Sequence, residues 1–77
     1  MEIIPTLGTY AEDFYGFIVR EDTVVGMLRM DIDDVRDDYG ITGVTLTTDD
    51  PAIMAPKHQV FTSITVTSGS VWVLKHL

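Results

Sequence analysis

The sequence predicts an α+β domain, a small antiparallel sheet of about four to five strands with one or two short helices. Three observations lead there. The chain has 77 residues, 45% of them hydrophobic, which suits one small core and not two, so residues 1–77 are expected to form a single acidic domain. Its C-terminal half, "VFTSITVTSGSVWVLKHL", carries two strand-like runs around Ser68-Gly69, a hairpin signal. The segment "DIDDVRDDYG" (31–40) places Ile32, Val35 and Tyr39 at intervals of three and four, the period of a helix.

Taken in order, "GTYAEDFYG" (8–16) offers Thr9 as an N-cap with Glu12 three residues on and Gly16 to end the segment, so a short helix is expected. "FIVRE" is β-branched and aromatic and starts a strand. Two structures compete for "REDTVVGMLRMDIDDVRDDYG" (20–40). As one helix, Val24, Met27, Leu28, Ile32, Val35 and Tyr39 make an apolar stripe, with Gly26 inside it costing up to about 1 kcal/mol relative to alanine. As a strand from Glu21 to Leu28 followed by a helix, Asp31 and Asp34 form a capping-box-like pair, Met30 and Val35 a hydrophobic staple, and Gly40 the closing residue. Val24 and Val25, better suited to strands, favour the second.

Downstream, "GVTLTTDDP" alternates Val44 and Leu46 against Thr45 and Thr47 and reads as a strand ended by the Asp49-Asp50-Pro51 turn. "AIMAPKHQ" fits either a short edge strand or a loop. A two-residue loop at Ser68-Gly69 sets Val66 opposite Val71, Ile64 opposite Val73 and Val60 opposite Leu77, an apolar column on one face. The other face would carry Phe61, Ser63, Thr65, Trp72, Leu74 and His76.

Charge is unevenly placed. Residues 1–40 hold ten acids against Arg20, Arg29 and Arg36, so the whole net charge of −7 lies there; in residues 41–77, Asp49 and Asp50 balance Lys57 and Lys75. Direct nucleic-acid binding needs a basic face and is not expected, whereas a basic partner is. The plain alternative is that the acids keep a small domain in solution. The pairs 33/37 and 34/38 are like charges at i,i+4, and Asp37 and Asp38 lie where a helix dipole disfavours anions, so helix stability alone would not choose them.

No cysteine is present for a disulfide or a thiolate metal site, no apolar run reaches the length of a membrane span, and "MEIIPTLGTY" lacks the pattern of a signal peptide. A soluble, cytoplasmic protein is expected. No nucleophile elbow accompanies His58 or His76, and "DIDDVRDDYG" has Val35 and Arg36 where a calcium loop needs an oxygen ligand and a glycine. Neither catalysis, a metal nor a cofactor is expected.

"EDTVV", followed by "ML" and then "DDVRDDYG", resembles the uracil-DNA glycosylase inhibitor family of phages. In that family an acid, a hydroxyl residue and a β-branched residue begin an edge strand, and an acidic helix follows. Asp22, Thr23 and Val24 hold those positions here, or Glu21 as the acid if the register slips by one; Asp33, Asp34, Val35 and Asp37 match the helix. The motif uses Asp22 and Thr23 where the family has glutamate and serine, "RMDI" lengthens the connection, and Arg36 interrupts the acids.

The resemblance implies a DNA mimic whose carboxylates replace phosphates in the groove of a host DNA-binding enzyme, uracil-DNA glycosylase first. Its partner-binding residues would be Glu21, Asp22, Thr23, Val24, Asp31, Asp33, Asp34, Asp37 and Asp38. An apolar pocket from Met27, Met30, Val35, Tyr39, Val44 and Leu46 would capture a side chain of the enzyme, unless these six are ordinary core. Such a protein would be a monomer when free and would act in the host cytoplasm. An anti-CRISPR or anti-restriction mimic, or a virion decoration or connector subunit packing against copies of itself, are the alternatives.

Overall fold

The computed structural model describes residues 2–75, and over them the chain is almost entirely strand. In order come β1 (Glu2–Tyr10), β2 (Gly16–Val19), β3 (Thr23–Met30), β4 (Asp33–Asp34), a 3-10 turn (Asp37–Tyr39), β5 (Thr45–Leu46), β6 (Ile53–Met54) and β7 (Ser63–Lys75). Among the described residues there is no α-helix, so the α+β expectation is replaced by a curled antiparallel β-sheet. None of its elements is a helix long and apolar enough to cross a membrane.

β7 is the centre of the sheet. Along one side lies β1, from Glu2 opposite Lys75 to Tyr10 opposite Ile64. Along the other lie β2, against Val71 to Leu74, and β3, against Ser63 to Ser68. All three lines bend at the same level: β1 at the register shift between Thr6 and Gly8, the β2 to β3 line at Arg20 to Asp22, and β7 at Gly69, whose φ is 78°. Bulges and left-handed residues are the usual means of curling a sheet.

The predicted hairpin at Ser68-Gly69 is therefore one continuous strand. Of the two residues only Gly69 has positive φ, whereas the tight hairpin turns need it at the first central residue or at both. Val66 and Val71 do not face each other; Val66 lies opposite Gly8 and Val25, and Val71 opposite Thr6 and Val19. Long-range partners on both sides outcompete the local fold-back. The predicted pairing of Val60 with Leu77, and the placement of His76, fall outside the described residues.

Both predicted helices are corrected in the same direction. In 8–16 the strand β1 runs on to Tyr10, and the hydroxyl of Thr9, instead of capping a helix, meets that of Thr65 at 3.1 Å. In 31–40 the chain turns back at Asp31-Ile32, and β4 pairs with β3 through Arg29 opposite Asp34 and Met30 opposite Asp33. Only the 3-10 turn at Asp37–Tyr39 is helical, closed by Gly40. The like-charge pairs and the acids at the wrong end of the dipole explain the choice, since a helix so short has little else to stabilise it. The single long helix is excluded too, as Thr23–Met30 is strand.

Asp31 holds a φ of 62° at the first central position of this hairpin turn, a place that favours glycine. Its carbonyl, which accepts the Thr62 hydroxyl at 3.1 Å, would survive substitution. Asp31→Gly is expected to raise stability by up to about 1 kcal/mol, read as a higher urea midpoint; a lower one would mean the carboxylate itself holds the turn.

The concave side of the sheet encloses the core. Phe17, Val19, Val71 and Val73 from one half meet Val25, Leu28, Ile64 and Val66 from the other, around Phe14 and Phe61. Phe14 and Phe61 form a reciprocal backbone bridge, N–H to C=O at 3.0 and 2.7 Å. The Phe61 ring centre lies 5.4 Å from Phe14, 5.6 Å from Tyr39 and 6.5 Å from Phe17.

Candidate functional site

The acidic stretch becomes an outward-facing ridge made by the β3 and β4 hairpin and the 3-10 turn. Asp31, Asp33, Asp34, Asp37 and Asp38 are all exposed. At the tip Ile32 is 83% exposed between Asp31 and Asp33, an apolar point set among carboxylates. Among the described residues Asp34 is the only ridge acid in an ion pair: its carboxylate accepts the Arg36 backbone N–H at 3.0 Å and is gripped by the Arg36 guanidinium at 3.0–3.1 Å. Asp37 accepts the Thr42 hydroxyl. Asp31, Asp33 and Asp38 thus keep their charge toward solvent.

The side-chain hydrogen bond from Arg36 holds the Asp34 carboxyl below its ordinary value of 3.8. A depressed carboxyl stabilises the folded state above its unfolded value and loses that contribution as pH falls through the folded one. Stability of the wild type should therefore fall more steeply below pH 3.8 than that of Asp34→Asn. Urea midpoints between pH 3 and 6 measure it; coincident acid limbs would show that this exposed fork contributes nothing, as many surface pairs do.

The predicted strand motif lands differently. Glu21 and Asp22 are exposed at the corner between β2 and β3, where Glu21 accepts the Ser70 hydroxyl at 2.6 Å. Thr23 is fully buried. Its hydroxyl lies 2.7 Å from the Glu21 carbonyl and 3.1 Å from the Ser70 carbonyl as donor, and accepts the Ser70 N–H at 3.2 Å. It clamps the bend of β7 and cannot meet a partner. Val24 is half-buried between Ser68 and Thr45. β3 is no free edge, because β7 lines one side and β5 and β4 the two ends of the other.

Beside the ridge opens a cavity of about 250 Å³ lined by Tyr39, Gly40, Ile41, Val44, Leu46, Asp50, Pro51 and Ile53. That is smaller than typical small-molecule sites and suits a single apolar side chain. Three predicted pocket residues, Tyr39, Val44 and Leu46, line it. Val35 is core, Met30 packs against the core, and Met27 lies opposite Thr65 outside the cavity. Ile41, Pro51 and Ile53 were missed. Ile41 in "YGITGV" is an isolated apolar residue between glycines, which is the signal that a loop turns inward.

At the cavity wall the Tyr39 hydroxyl donates to the Met54 carbonyl at 3.2 Å, and burial, with the nearby Asp38 charge second, pushes the phenol above its ordinary value. Asp50 at the rim accepts the Thr47 N–H at 2.7 Å. Among the described residues no group of three acids or histidines is placed to hold a metal ion.

Comparison with family models, curated proteins and solved structures finds no match to this chain.

Proposed function

We propose that this chain is a non-catalytic binding protein that lays its acidic ridge in the basic, nucleic-acid-binding groove of a host DNA-processing enzyme, with uracil-DNA glycosylase the first target. The observation that carries the reading is the ridge itself. Five aspartates are concentrated within eight residues and turned outward, and among the described residues only Asp34 is neutralised by an ion pair. Their repulsion costs stability, so a binding role gives the arrangement a purpose.

With Thr23 buried and β3 paired on both sides, recognition runs through side chains and not through addition of a strand to an edge. Asp33 and Asp38 steer the encounter, Ile32 offers an apolar contact at the tip, and the neighbouring cavity accepts an apolar side chain from the partner. The host cytoplasm, where such an enzyme works, is the proposed location.

Titrating the protein into a uracil-excision assay should abolish activity near equimolar ratio. Undiminished cleavage at large excess removes the glycosylase as target. Asp33→Asn with Asp38→Asn, both exposed and outside the core, is expected to weaken inhibition about tenfold at low salt and to flatten its salt dependence. Equal potency and an equal salt slope would remove the ridge from the interface.

A further inference from the structure

The outer face of the sheet is polar in one half and apolar in the other. Around β3 it carries Thr9, Thr65, Thr67 and Arg29 with one half-buried apolar residue, Met27 opposite Thr65, the mostly polar solvent side of an antiparallel sheet. Across the bend, where β1, β7, β2 and β6 run side by side, the residues on the convex side are apolar. Pro5, Trp72 and Ile18 form one row; Ile3, Leu74 and Gly16 with Met54 form the next.

Leu74 is buried yet stands outside the core cluster, so it is covered by this outer layer. Ile3 is 54% exposed, Ile18 40%, Met54 42% and Trp72 36%. The Arg20 guanidinium lies 4.4 Å over the Trp72 ring.

We propose that this face is the interface of a homodimer, in which two copies pack their convex half-sheets against each other about a two-fold axis. The patch presents apolar surface on the order of 400 Å² per copy, the size of the largest and often functional patch on a small domain. Two of them with their rims bury on the order of 1,200 Å², enough for a specific dimer. Strand runs such as "VWVL", apolar on both faces, belong to sheets covered on both sides.

Charge selects a second copy over an acidic or basic partner. At its border the patch carries both signs, the Arg20 cation over Trp72 and the exposed acids Glu21 and Asp22 at the corner where Glu21 meets Ser70, whereas the aspartate ridge lies on the other half of the sheet. Two copies can therefore meet without bringing their ridges together, and the monomer expected from sequence gives way to a dimer with two outward ridges. Pro5 on β1, which has no N–H to offer, works against pairing along the outer edge of that strand, which has no partner among the described residues, leaving face-to-face contact.

The proposal does not depend on the ridge or its target. Sedimentation equilibrium of the full chain at concentrations on the order of 100 μM should give twice the 8.6 kDa of one chain. Trp72, the only tryptophan, should shift its emission to the blue and lose access to acrylamide as concentration rises. Ile3→Lys with Ile18→Lys, at exposed positions of the two rows, should weaken association at least about tenfold with an unchanged circular dichroism spectrum, while Asp33→Asn should leave the mass unchanged.

A single-chain mass at every concentration overturns the proposal, whether Trp72 is then open to quencher or covered by another occupant. So does a dimer that ignores the two lysines.

Discussion

Gly69→Ala is expected to destabilise the protein by about 3 to 5 kcal/mol, the range reserved for backbone strain combined with a core clash. At a φ of 78° an L side chain already costs about 1–2 kcal/mol. The added Cβ would stand 2.3 Å from the Asp22 carbonyl oxygen and 2.9 Å from the Thr23 Cα, contacts that only a shift of the backbone relieves. That shift would pull Thr23 from the Ser70 N–H and carbonyl, and a buried polar group left unpaired costs about 1–3 kcal/mol. Urea unfolding of both proteins measures the difference. A loss under about 1 kcal/mol would mean that the bend of β7 does not press against the β2 to β3 corner.

Phe61→Ala should cost a similar amount, about 3–5 kcal/mol, by the loss of a buried ring and the cavity left behind. Phe61 is fully buried and touches the rings of Phe14, Phe17 and Tyr39, so its removal opens a void shared by three aromatic neighbours. A 77-residue domain has a total stability of roughly 4–12 kcal/mol, so the variant should lose between about a quarter and all of it. Phe61→Leu, which keeps most of the volume, should recover more than half of the loss. If alanine and leucine unfold at the same midpoint, the site collapses around the gap and the ring packing is not what holds β7 to the Phe14 bridge.

The strands that were legible in the sequence are those whose residues have no better alternative. "FIV", "TVVGML" and the Val44 to Leu46 segment are β-branched and alternating, and they became β2, β3 and β5, with "AIM" supplying the short edge strand β6. Where a local signal competed with a distant partner, the distant partner won. Ser68-Gly69 has the composition of a hairpin turn, but its dihedrals suit a bend, and straight continuation lets β7 pair on both sides. The helix period of Ile32, Val35 and Tyr39 is real, yet only Val35 is buried among the core, Ile32 is nearly free in solvent, and Tyr39 reaches the core from a 3-10 turn.

For the candidate site, exposure of the aspartates followed from their charge alone, since none had a buried partner to go to. The role of Thr23 did not follow. A threonine beside acids reads as part of a surface motif, and only the curl of β7 brings Ser70 to its hydroxyl. The cavity was half visible for the same reason: Tyr39, Val44 and Leu46 are close in sequence, whereas Pro51 and Ile53 join them because β6 pairs with β2.

The central position of β7 also sets the order in which the chain can fold during synthesis. β1, β2 and β3 each take their main partner from residues 63–75, and the pairing of Glu2 with Lys75 closes nearly the whole length. Until that segment has left the ribosome, the β3 and β4 hairpin with its β5 neighbour, and the short β2 to β6 pair, are the strand pairings of the described residues whose partners are already present. The acidic ridge can thus form early as a local unit, while the apolar strands wait. A chain so rich in distant contacts folds on the slower, millisecond-to-second scale of β-proteins, and its early charge helps keep the waiting strands from aggregating.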